Sequence, residues 1–339
     1  MRPYLAFDFG GTKNACALFL QEDAHAFHLD ALEKRASPPQ PDAAYDYATM
    51  LELARNVLRG REPIAIGVSF GGPVRAQEGV VVLSHHVAGW ENVSLRAKLE
   101  NEFHARVVVD NDANVAALGE TKFGAGAASR ISKDRQIEIG AREDATQGKN
   151  CSSVLYVTVS TGVGGGWILN GEIYRGANEL AGEIGHVVID PNGPPCVCGR
   201  RGCVEQLACG PAIARHARER LINNPARGKI LRELIQNDFS QVTALRVNQA
   251  ALAGDALARE VMDAAARALG FALGNVICLM NPQRIIIGGG VSNAGEHYFE
   301  MVRAAARENV MPQLRNAVDI VPAALGDDAP LWGALALVV

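Results

Sequence analysis

Short apolar runs separated by turn residues alternate with stretches of helical periodicity along this chain. Residues 3–9 and 14–20 are β-type runs on either side of GGTKN, which predicts a hairpin with a glycine-rich turn. An apolar run at 25–33 is expected to add a third strand. Apolar residues at mostly helical spacing then predict a helix over 43–59, and PIAIGVSF at 63–70 predicts a buried strand.

The same alternation continues to the carboxyl terminus. A helix at 94–102, the strand ARVVVD and a helix beginning near Asp112 come next. SVLYVTVSTGVGGGWILNGEIY predicts a second hairpin around a glycine-rich turn, and RIIIGGGVSNAG predicts a strand that runs into glycines and a helix. Further helices are predicted at 211–222, 229–237, 255–280 and 329–339. The fold class predicted from this order is α/β.

Both halves of the chain open on a β-hairpin whose turn is rich in glycine and threonine, and 339 residues are more than one domain usually needs. We therefore expect two α/β domains that hold a ligand in the cleft between them. The smaller is predicted to comprise residues 1–113 and about 323–339, and the larger residues 114–322. A charged, weakly periodic stretch at 129–150 is expected to be a flexible insert.

Composition and charge restrict the kinds of partner. The chain has 33 basic and 37 acidic residues, a net charge of −4 and 48% hydrophobic residues. This balance provides no basic surface for nucleic acid or anionic lipid, so we expect a small-molecule partner. Asp8 and Lys13 interrupt any secretory signal at the amino terminus, and apolar runs such as PLWGALALVV are too short to span a bilayer. We therefore expect a cytoplasmic protein without a membrane segment.

Two glycine-rich turns carry candidate phosphate-binding chemistry. In DFGGTK, Gly10 and Gly11 let backbone N–H groups approach an anion, and the Thr12 hydroxyl can donate to a phosphate oxygen. Asp8 of the same motif can hold a hydrated magnesium ion. STGVGGG at 160–166 repeats the combination of threonine and glycines. An ordinary hairpin turn explains either motif alone, but one such loop in each half favours phosphate binding.

Two further motifs suit other parts of a phosphotransferase site. The glycines of IIIGGGV follow a buried strand, where a nucleotide base and ribose can lie on bare backbone, although this is also a routine strand-to-helix connection. The full GxGxxG pattern is lacking, which argues against a dinucleotide. In VVVDNDANVAALGE, Asn111 and Asp112 lie at a strand end. They either cap a helix or supply a carboxylate that accepts a proton from an attacking hydroxyl.

CVCGRRGCVE contains a cluster of thiols that suits a metal. Cys196, Cys198 and Cys203, with His186 upstream, make a Cys₃His set of the kind that holds structural zinc. A thiol-redox role is the alternative, but the spacing is not Cys-x-x-Cys. The remaining cysteines have apolar or small neighbours and are predicted to fill the core: Cys16, Cys151, Cys209 and Cys278.

Two glutamates flank the thiol cluster. Glu183 precedes His186 by three residues, and Glu205 follows Cys203 by two. A bound zinc ion would bring both carboxylates into one neighbourhood, where they can bind a polyol. Solvated surface charge is the alternative for each.

Together these motifs resemble the ROK family of bacterial sugar kinases and repressors. DFGGTK, GVSFGGPV, DNDANVAALGE, STGVGGG, GEIGH, CVCGRRGCVE and IIIGGGV occur in the family's order over nearly the whole chain. The resemblance implies an actin-like ATPase, ribonuclease H-like duplicated fold of two domains, with ATP in the cleft and a hexose near the hinge. It also implies a homodimer or higher homo-oligomer. Family repressors carry a DNA-binding helix-turn-helix before the first phosphate loop, which here starts at residue 8, so we do not expect a repressor.

The resemblance also implies roles for individual residues. It places the catalytic base at Asp112 and the structural zinc ligands at His186, Cys196, Cys198 and Cys203. The implied sugar contacts are Gly72, Asn111, Asp112, Glu183, His186 and Glu205. The implied contacts with ATP and Mg²⁺ are Asp8, Gly10, Gly11, Thr12, Lys13, Thr161, Gly162, Gly164, Gly289 and Gly290.

These expectations converge on an ATP-dependent hexose kinase that acts on the 6-hydroxyl group of glucose, a glucokinase of glycolysis. Kinases of N-acetylglucosamine, N-acetylmannosamine or fructose in the same family are alternatives, because the implied contact residues bind hydroxyl groups that many hexoses share. A sugar sensor that has lost catalysis is a third, against which Asp112 and both phosphate loops argue. The sequence leaves open which sugar is preferred and whether polyphosphate replaces ATP.

Overall fold

The computed structural model describes residues 1–23, 26–84, 87–127, 130–131, 137–138 and 150–339. The strands are β1 (Arg2–Phe9), β2 (Lys13–Gln21), β3 (Phe27–Ala36), β4 (Ala65–Phe70), β5 (Val74–Arg75), β6 (Val80–Val81), β7 (Val93–Ser94), β8 (Arg106–Asn111), β9 (Arg130–Ile131), β10 (Ile137–Glu138), β11 (Ser153–Val159), β12 (Val163–Leu169), β13 (Glu172–Tyr174), β14 (Arg284–Gly288) and β15 (Asp319–Pro322). The helices are α1 (Ala43–Leu58), α2 (Leu95–Phe103), α3 (Asp112–Phe123), α4 (Glu205–Ala208), α5 (Gly210–Asn223), α6 (Lys229–Leu234), α7 (Ala244–Leu252), α8 (Ala256–Met280), α9 (Glu296–Glu308) and α10 (Ala329–Ala336). This order confirms the predicted α/β class.

The predicted insert at 129–150 lies outside the described residues, apart from β9, β10 and Asn150. The two short strands pair antiparallel with each other. The flexibility of this segment stays a prediction.

One five-stranded sheet is built from the amino-terminal part of the chain, in the order β3-β2-β1-β4-β8. The β1–β2 and β2–β3 pairs are antiparallel, which confirms the predicted hairpin and its third strand. The β1–β4 and β4–β8 pairs are parallel. The carboxyl ends of β1, β4 and β8 therefore lie at one edge of the sheet.

Both faces of this sheet are covered, which explains why its central strands are apolar almost throughout. Along β1, Leu5, Phe7 and Phe9 belong to one cluster with residues of α1 and α2. Tyr4 and Ala6 belong to a second cluster with residues of α10. Successive side chains of a strand point to opposite faces, so this alternation buries β1 on both sides and anchors the strand ends.

A second five-stranded sheet has the order β13-β12-β11-β14-β15, and β5, β6 and β7 form a small separate sheet. Helix α8, which packs against α5, α7 and α9, belongs to the same part of the chain as β14 and β15. Among the described residues, α8 is the one helix long and apolar enough to cross a membrane, and 56% of that stretch is buried. Its packing identifies α8 as a core helix.

The described residues form two compact units. Unit 1 comprises Met1–Tyr156, Gly166–Ala181 and Ala323–Val339, and unit 2 comprises Val157–Gly165 and Gly182–Pro322. This division differs from the domain boundary expected after residue 113, because α3 packs along α10 in unit 1. The buried Glu120 carboxylate of α3 also accepts hydrogen bonds from the backbone N–H groups of Ala324 (3.1 Å) and Leu325 (2.8 Å).

One prediction in the helical part of unit 2 needs correction, and one helix there was not predicted. The helix predicted over 229–237 ends at Leu234, because Gln236 and Asn237 adopt left-handed backbone angles with φ of 52° and 55°. Helix α7 was not predicted. It begins after Thr243, whose hydroxyl accepts a hydrogen bond from the Arg246 N–H group at 3.3 Å.

The cysteines outside the thiol cluster follow the core prediction with one exception. Cys16, Cys151 and Cys209 are buried, as expected, whereas Cys278 is exposed. The prediction for Cys278 was wrong because the neighbouring Ile277 faces the core at this turn of α8, which directs Cys278 to the surface.

Candidate active site

The carboxyl ends of β1, β4 and β8 bring three predicted segments together in unit 1. The Gly71 N–H group donates to the Phe9 carbonyl oxygen at 2.8 Å, which joins the residues after β4 to the end of β1. Asn111 Nδ2 donates to the Gly72 carbonyl oxygen at 3.1 Å, which joins β8 to the same turn. Gly72 and Asn111, both predicted sugar contacts, are therefore neighbours.

Asn111 and Asp112 share the amino-terminal end of α3. Asn111 Oδ1 accepts hydrogen bonds from the backbone N–H groups of Ala113 (3.0 Å) and Asn114 (3.4 Å), so helix capping is its role here. Asp112 Oδ1 accepts from the Ala113 N–H group at 2.8 Å and from Asn111 Nδ2 at 3.0 Å. These bonds fix the direction of a carboxylate that is only partly buried, as a proton acceptor for a bound hydroxyl must be.

Asp8 lies in β1 beside Ser69 of β4. Ser69 Oγ donates to Asp8 Oδ1 at 2.9 Å, and Asp8 is 7% exposed. Burial raises the pKa of Asp8 to about 6; the hydrogen bond from Ser69 opposes this rise, and the charge of Asp112 adds to it. Carboxylate oxygen is the ligand that Mg²⁺ prefers, and a cation would offset the free energy needed to ionise this buried group. Asp8 therefore fits the predicted magnesium site.

The raised pKa of Asp8 predicts a pH-dependent contribution to stability in buffer without Mg²⁺. The folded protein holds this proton more tightly than the unfolded chain, so the contribution of Asp8 to stability is greatest below the unfolded pKa of 3.8 and is lost as pH rises through about 6. Asp8→Asn cannot ionise, and it should be more stable than the wild type by about 2–3 kcal/mol near pH 8, with the difference vanishing near pH 4. Urea unfolding across this pH range measures the difference. A constant difference at all pH values would contradict the assignment.

The first glycine turn, Gly10–Lys13, is closed by its own backbone. The Gly10 N–H group donates to the Lys13 carbonyl oxygen at 3.1 Å. Thr12 is exposed, and Lys13 Nζ lies 4.0 Å from a carboxylate oxygen of Asp327. The turn thus presents a hydroxyl and an ammonium group near the surface, and the phosphate contacts expected of Gly10–Lys13 stay a prediction.

The second glycine turn lies in unit 2 and packs against the segment that carries the thiol cluster. Glu205 Oε2 accepts a hydrogen bond from the Val163 N–H group at 3.1 Å. A Cβ atom at Gly185 would lie 2.0 Å from the Val163 carbonyl oxygen, so only glycine allows this approach. Glu205, which the sequence suggested as a sugar contact, therefore also holds the backbone of the turn that contains Thr161, Gly162 and Gly164.

The predicted metal ligands come together in unit 2. One ligand atom from each of His186, Cys196, Cys198 and Cys203 lies within 4.8 Å of the others. Cys196 Sγ is 3.6 Å from His186 Nδ1, and Cys198 Sγ is 3.6 Å from Cys203 Sγ. A tetrahedral zinc ion with Zn–S bonds of about 2.3 Å separates its sulfur ligands by about 3.8 Å. The donor atoms and their spacing therefore fit a zinc ion held by four protein ligands.

A tight turn and one arginine shape this cluster. Gly202 has φ of 67°, and a Cβ atom there would lie 1.5 Å from the Asp190 carbonyl oxygen, so the backbone between the ligands requires glycine. Hydrogen bonds from Arg200 lower the pKa of Cys198 to about 6, whereas burial raises the pKa of Cys203 to about 12. Cys198 is thus predisposed to the thiolate form that binds a metal.

The second ring nitrogen of His186 faces a carboxylate. His186 Nε2 lies 4.0 Å from Glu183 Oε2, while Nδ1 faces the thiols. Glu183 is exposed at this position. The structure therefore places Glu183 beside the cluster, and its contact with a sugar stays a prediction.

A cavity of about 640 Å³ in unit 2 adjoins the second glycine turn. Its lining includes Thr161 and Gly290, two predicted nucleotide contacts, and Gly289 directly precedes the latter. The other lining residues were not predicted from the sequence, because α7 was not predicted and their spacing does not indicate a ligand. These other lining residues include Pro211, Ala214, Arg218, Leu245, Asn248 and Asn293. A concave cavity of apolar side chains with a few polar groups suits a nucleoside.

Comparison with known proteins identifies relatives over the whole chain. The ROK family profile matches residues 4–133 and 129–339. The glucokinase of Halalkalibacterium halodurans is 37% identical over 273 residues, which cover 79% of this chain and 74% of that protein. The glucokinase of Streptomyces coelicolor is 32% identical, over 97% of this chain and 95% of that protein.

Solved structures give the same result. A ROK family glucokinase from Streptomyces griseus, in complex with glucose and AMPPNP, matches with a TM-score of 0.77 and 29% identity, covering 99% of this chain and 98% of that chain. ROK sugar kinases have the actin-like ATPase fold, which confirms the fold implied by the resemblance. The chain belongs to the ROK family.

Proposed function

We propose that this protein is an ATP-dependent hexose kinase that transfers the γ-phosphoryl group to the 6-hydroxyl group of glucose. The observation that carries the proposal is the Asp112 carboxylate, held in a fixed direction where three parallel strands end. Relatives at 37% and 32% identity are glucokinases, and a ROK glucokinase of the same fold binds glucose together with AMPPNP.

Asp112 accepts the proton of the attacking hydroxyl in this proposal. As the sugar oxygen bonds to the γ-phosphorus, the bond from phosphorus to the bridging oxygen breaks, and ADP leaves with the bonding electrons. The Ala113 N–H group and the Asn111 amide hold the carboxylate through Oδ1, so its direction is set before substrate arrives. The other proposed sugar contacts are Gly72, Asn111, Glu183, His186 and Glu205.

The two glycine turns bind the phosphate chain. Backbone N–H groups and the hydroxyls of Thr12 and Thr161 donate to phosphate oxygens, with Lys13 supplying a positive charge. Asp8 would hold Mg²⁺, which neutralises charge on the phosphate oxygens when bound. The glycines assigned to these contacts are Gly10, Gly11, Gly162 and Gly164.

His186, Cys196, Cys198 and Cys203 would hold a structural zinc ion, because these four ligands fill a tetrahedral site and leave no position for water. The cluster fixes the segment that carries Glu205 and the segment that carries Gly185. Both of these residues contact Val163 of the second glycine turn. A zinc ion bound there would therefore support the phosphate loop of unit 2 as well as the proposed sugar contacts.

The cavity beside the second glycine turn binds the adenosine part of ATP in this proposal, with Gly289 and Gly290 next to the nucleoside. Asn248 then offers an amide to the base, since asparagine can pair with an adenine edge. Asn248→Ala is expected to raise KM for ATP by about tenfold and leave kcat nearly unchanged, because one hydrogen bond is worth about 1–1.5 kcal/mol. Steady-state kinetics with varied ATP measure this.

Gln249→Ala is the matched control, since Gln249 is the next residue of α7 and is exposed. It should leave KM for ATP unchanged. Equal KM values in Asn248→Ala and the wild type would remove Asn248 from the nucleotide site.

A coupled assay of ADP release tests the proposed function. The panel contains glucose, fructose, N-acetylglucosamine and N-acetylmannosamine, each with MgATP. We expect the highest kcat/KM with glucose. A higher value with another sugar would reassign the substrate within the family, and sugar binding without ADP release would favour a sensor.

The working form of the enzyme is proposed to be a cytoplasmic homodimer or higher homo-oligomer. Sedimentation of the purified protein at several concentrations measures its mass in solution. A single species of the chain mass, 36.0 kDa, would contradict the oligomer.

A further inference from the structure

A buried polar network in unit 1 joins α1 to the residue after the first glycine turn and to the loop 87–92. Asp46, in the first turn of α1, is 2% exposed. Asn14 Nδ2 donates to Asp46 Oδ1 at 2.9 Å, and Trp90 Nε1 donates to Asp46 Oδ2 at 3.2 Å. Asn14 and Trp90 are each 1% exposed, so water does not replace either bond. Both donors therefore depend on the Asp46 carboxylate.

Asp46 sets the orientation of the Asn14 amide. Asn14 directly follows Lys13, and its Oδ1 is buried without a hydrogen-bond partner among the described residues. Turning the amide over would point this oxygen at a carboxylate, which only accepts hydrogen bonds. A bond to a charged acceptor is about twice as strong as a neutral one, and this strength offsets the unpaired oxygen. The end of the first glycine turn is thus anchored through Asp46.

Trp90 extends the network to two strand ends. Its ring packs edge-to-face on Phe9 and Phe70, with centroid distances of 6.4 Å and 5.3 Å. Phe9 and Phe70 are the last residues of β1 and β4, directly before Gly10 and Gly71. One carboxylate therefore connects the start of β2 with the ends of β1 and β4.

We infer that Asp46 is a positioning residue for phosphoryl transfer. The hydrogen bonds to its carboxylate come from Asn14 and Trp90, and through them it holds the backbone of Gly10–Lys13 in the geometry proposed to bind phosphate. The expected effect of Asp46 on the rate of phosphoryl transfer rests on the proposed function. The effect of Asp46 on the conformation of Gly10–Lys13 does not. Without the carboxylate, two buried donors lose their acceptor, and the turn populates its binding geometry less.

Two substitutions separate this role from general damage to the fold. Asp46→Leu keeps the approximate size but accepts no hydrogen bond. Asp46→Asn accepts from Trp90 and can donate to Asn14 Oδ1 once the Asn14 amide turns over. We expect Asp46→Leu to lower kcat/KM for ATP by about tenfold or more, the effect of one or more lost hydrogen bonds, and Asp46→Asn to stay within about threefold of the wild type.

Amide hydrogen exchange of the full-length protein measures the coupling without catalysis. Asp46→Leu is expected to raise exchange rates at residues 10–14 and 87–92 by about tenfold relative to Asp46→Asn. The matched control is Asp255→Ala, which removes a carboxylate that is 5% exposed in unit 2. Asp255 accepts from the backbone N–H groups of Leu231, Leu257 and Ala258. This control should lower Tm but change neither the kinetics nor exchange at the two segments.

Wild-type kinetics and exchange in Asp46→Leu would overturn the inference, as would equal changes in Asp46→Leu and Asp255→Ala. If Asp46→Leu does not fold, Trp90→Phe keeps an aromatic ring but removes the N–H donor together with part of the indole volume, a loss of volume that Trp332→Phe shares. It should raise exchange at 87–92 by about threefold, while Trp332→Phe, in the other core cluster of unit 1, should not. Unchanged exchange in Trp90→Phe would also overturn the inference.

The two proposals fail differently. A wild-type protein that releases no ADP with any hexose contradicts the proposed function, yet hydrogen exchange still decides whether Asp46 anchors the turn. Normal kinase activity with unchanged exchange in Asp46→Leu leaves the proposed function intact and removes the role of Asp46.

Discussion

Asp112→Ala and Asp112→Asn should lower kcat for glucose phosphorylation by roughly 10²–10⁴, the range for loss of a general base. The fold should persist, because Asn111 supplies the cap of α3 through its own side chain. Glucose binding should weaken much less than turnover, since the other proposed sugar contacts remain. Steady-state kinetics and calorimetric titration with glucose separate these two quantities.

Asp255→Ala is a control for the loss of a helix-capping carboxylate, because Asp255 caps α8 in unit 2. It should reduce stability and leave kcat unchanged in the folded protein. If Asp112→Asn keeps most of the wild-type kcat, Asp112 is not the base.

Loss of the thiol cluster should have the second large effect. Cys198→Ser is a suitable change, because Cys198 is exposed and its replacement leaves the core intact. We expect zinc content to fall from about one per chain to well below that value, and kcat/KM for glucose to fall by about tenfold or more. The physical reason is that the cluster holds the segments of Gly185 and Glu205, which contact Val163. Metal analysis and kinetics on the same preparation measure both results.

Cys278→Ser is the matched control, since Cys278 is also exposed but lies on α8 outside the cluster. It should keep zinc content and kinetics at wild-type values. Freshly purified wild-type protein with far less than one zinc per chain would contradict the metal assignment.

Features with strict local patterns were predictable from the sequence. The hairpin around GGTKN and the buried strand at 63–70 follow from short apolar runs bounded by glycine and other turn residues, and both appear in the first sheet. The thiol cluster could also be predicted from the sequence, because ligand spacing restricts which backbone turns can close around a metal. The four predicted ligands do come together in the structure.

Features that depend on contacts between distant residues were not predictable. The hydrogen bond from Val163 to Glu205 crosses 42 positions of the chain, and that from Asn14 to Asp46 crosses 32. No periodicity encodes such pairs. The lining of the nucleoside cavity was missed for a related reason, since Asn248 lies on α7, whose short amphipathic pattern did not stand out from its surroundings.

Phosphorus NMR of the reaction of glucose with MgATP identifies the sugar oxygen that receives the phosphoryl group and tests the role of Asp112 in the same measurement. We expect one new phosphomonoester signal, coupled to the protons on carbon 6 of the sugar, that grows with ADP and is nearly absent with Asp112→Asn. A phosphate on another carbon, release of inorganic phosphate alone, or the same product formed at the wild-type rate by Asp112→Asn would contradict it.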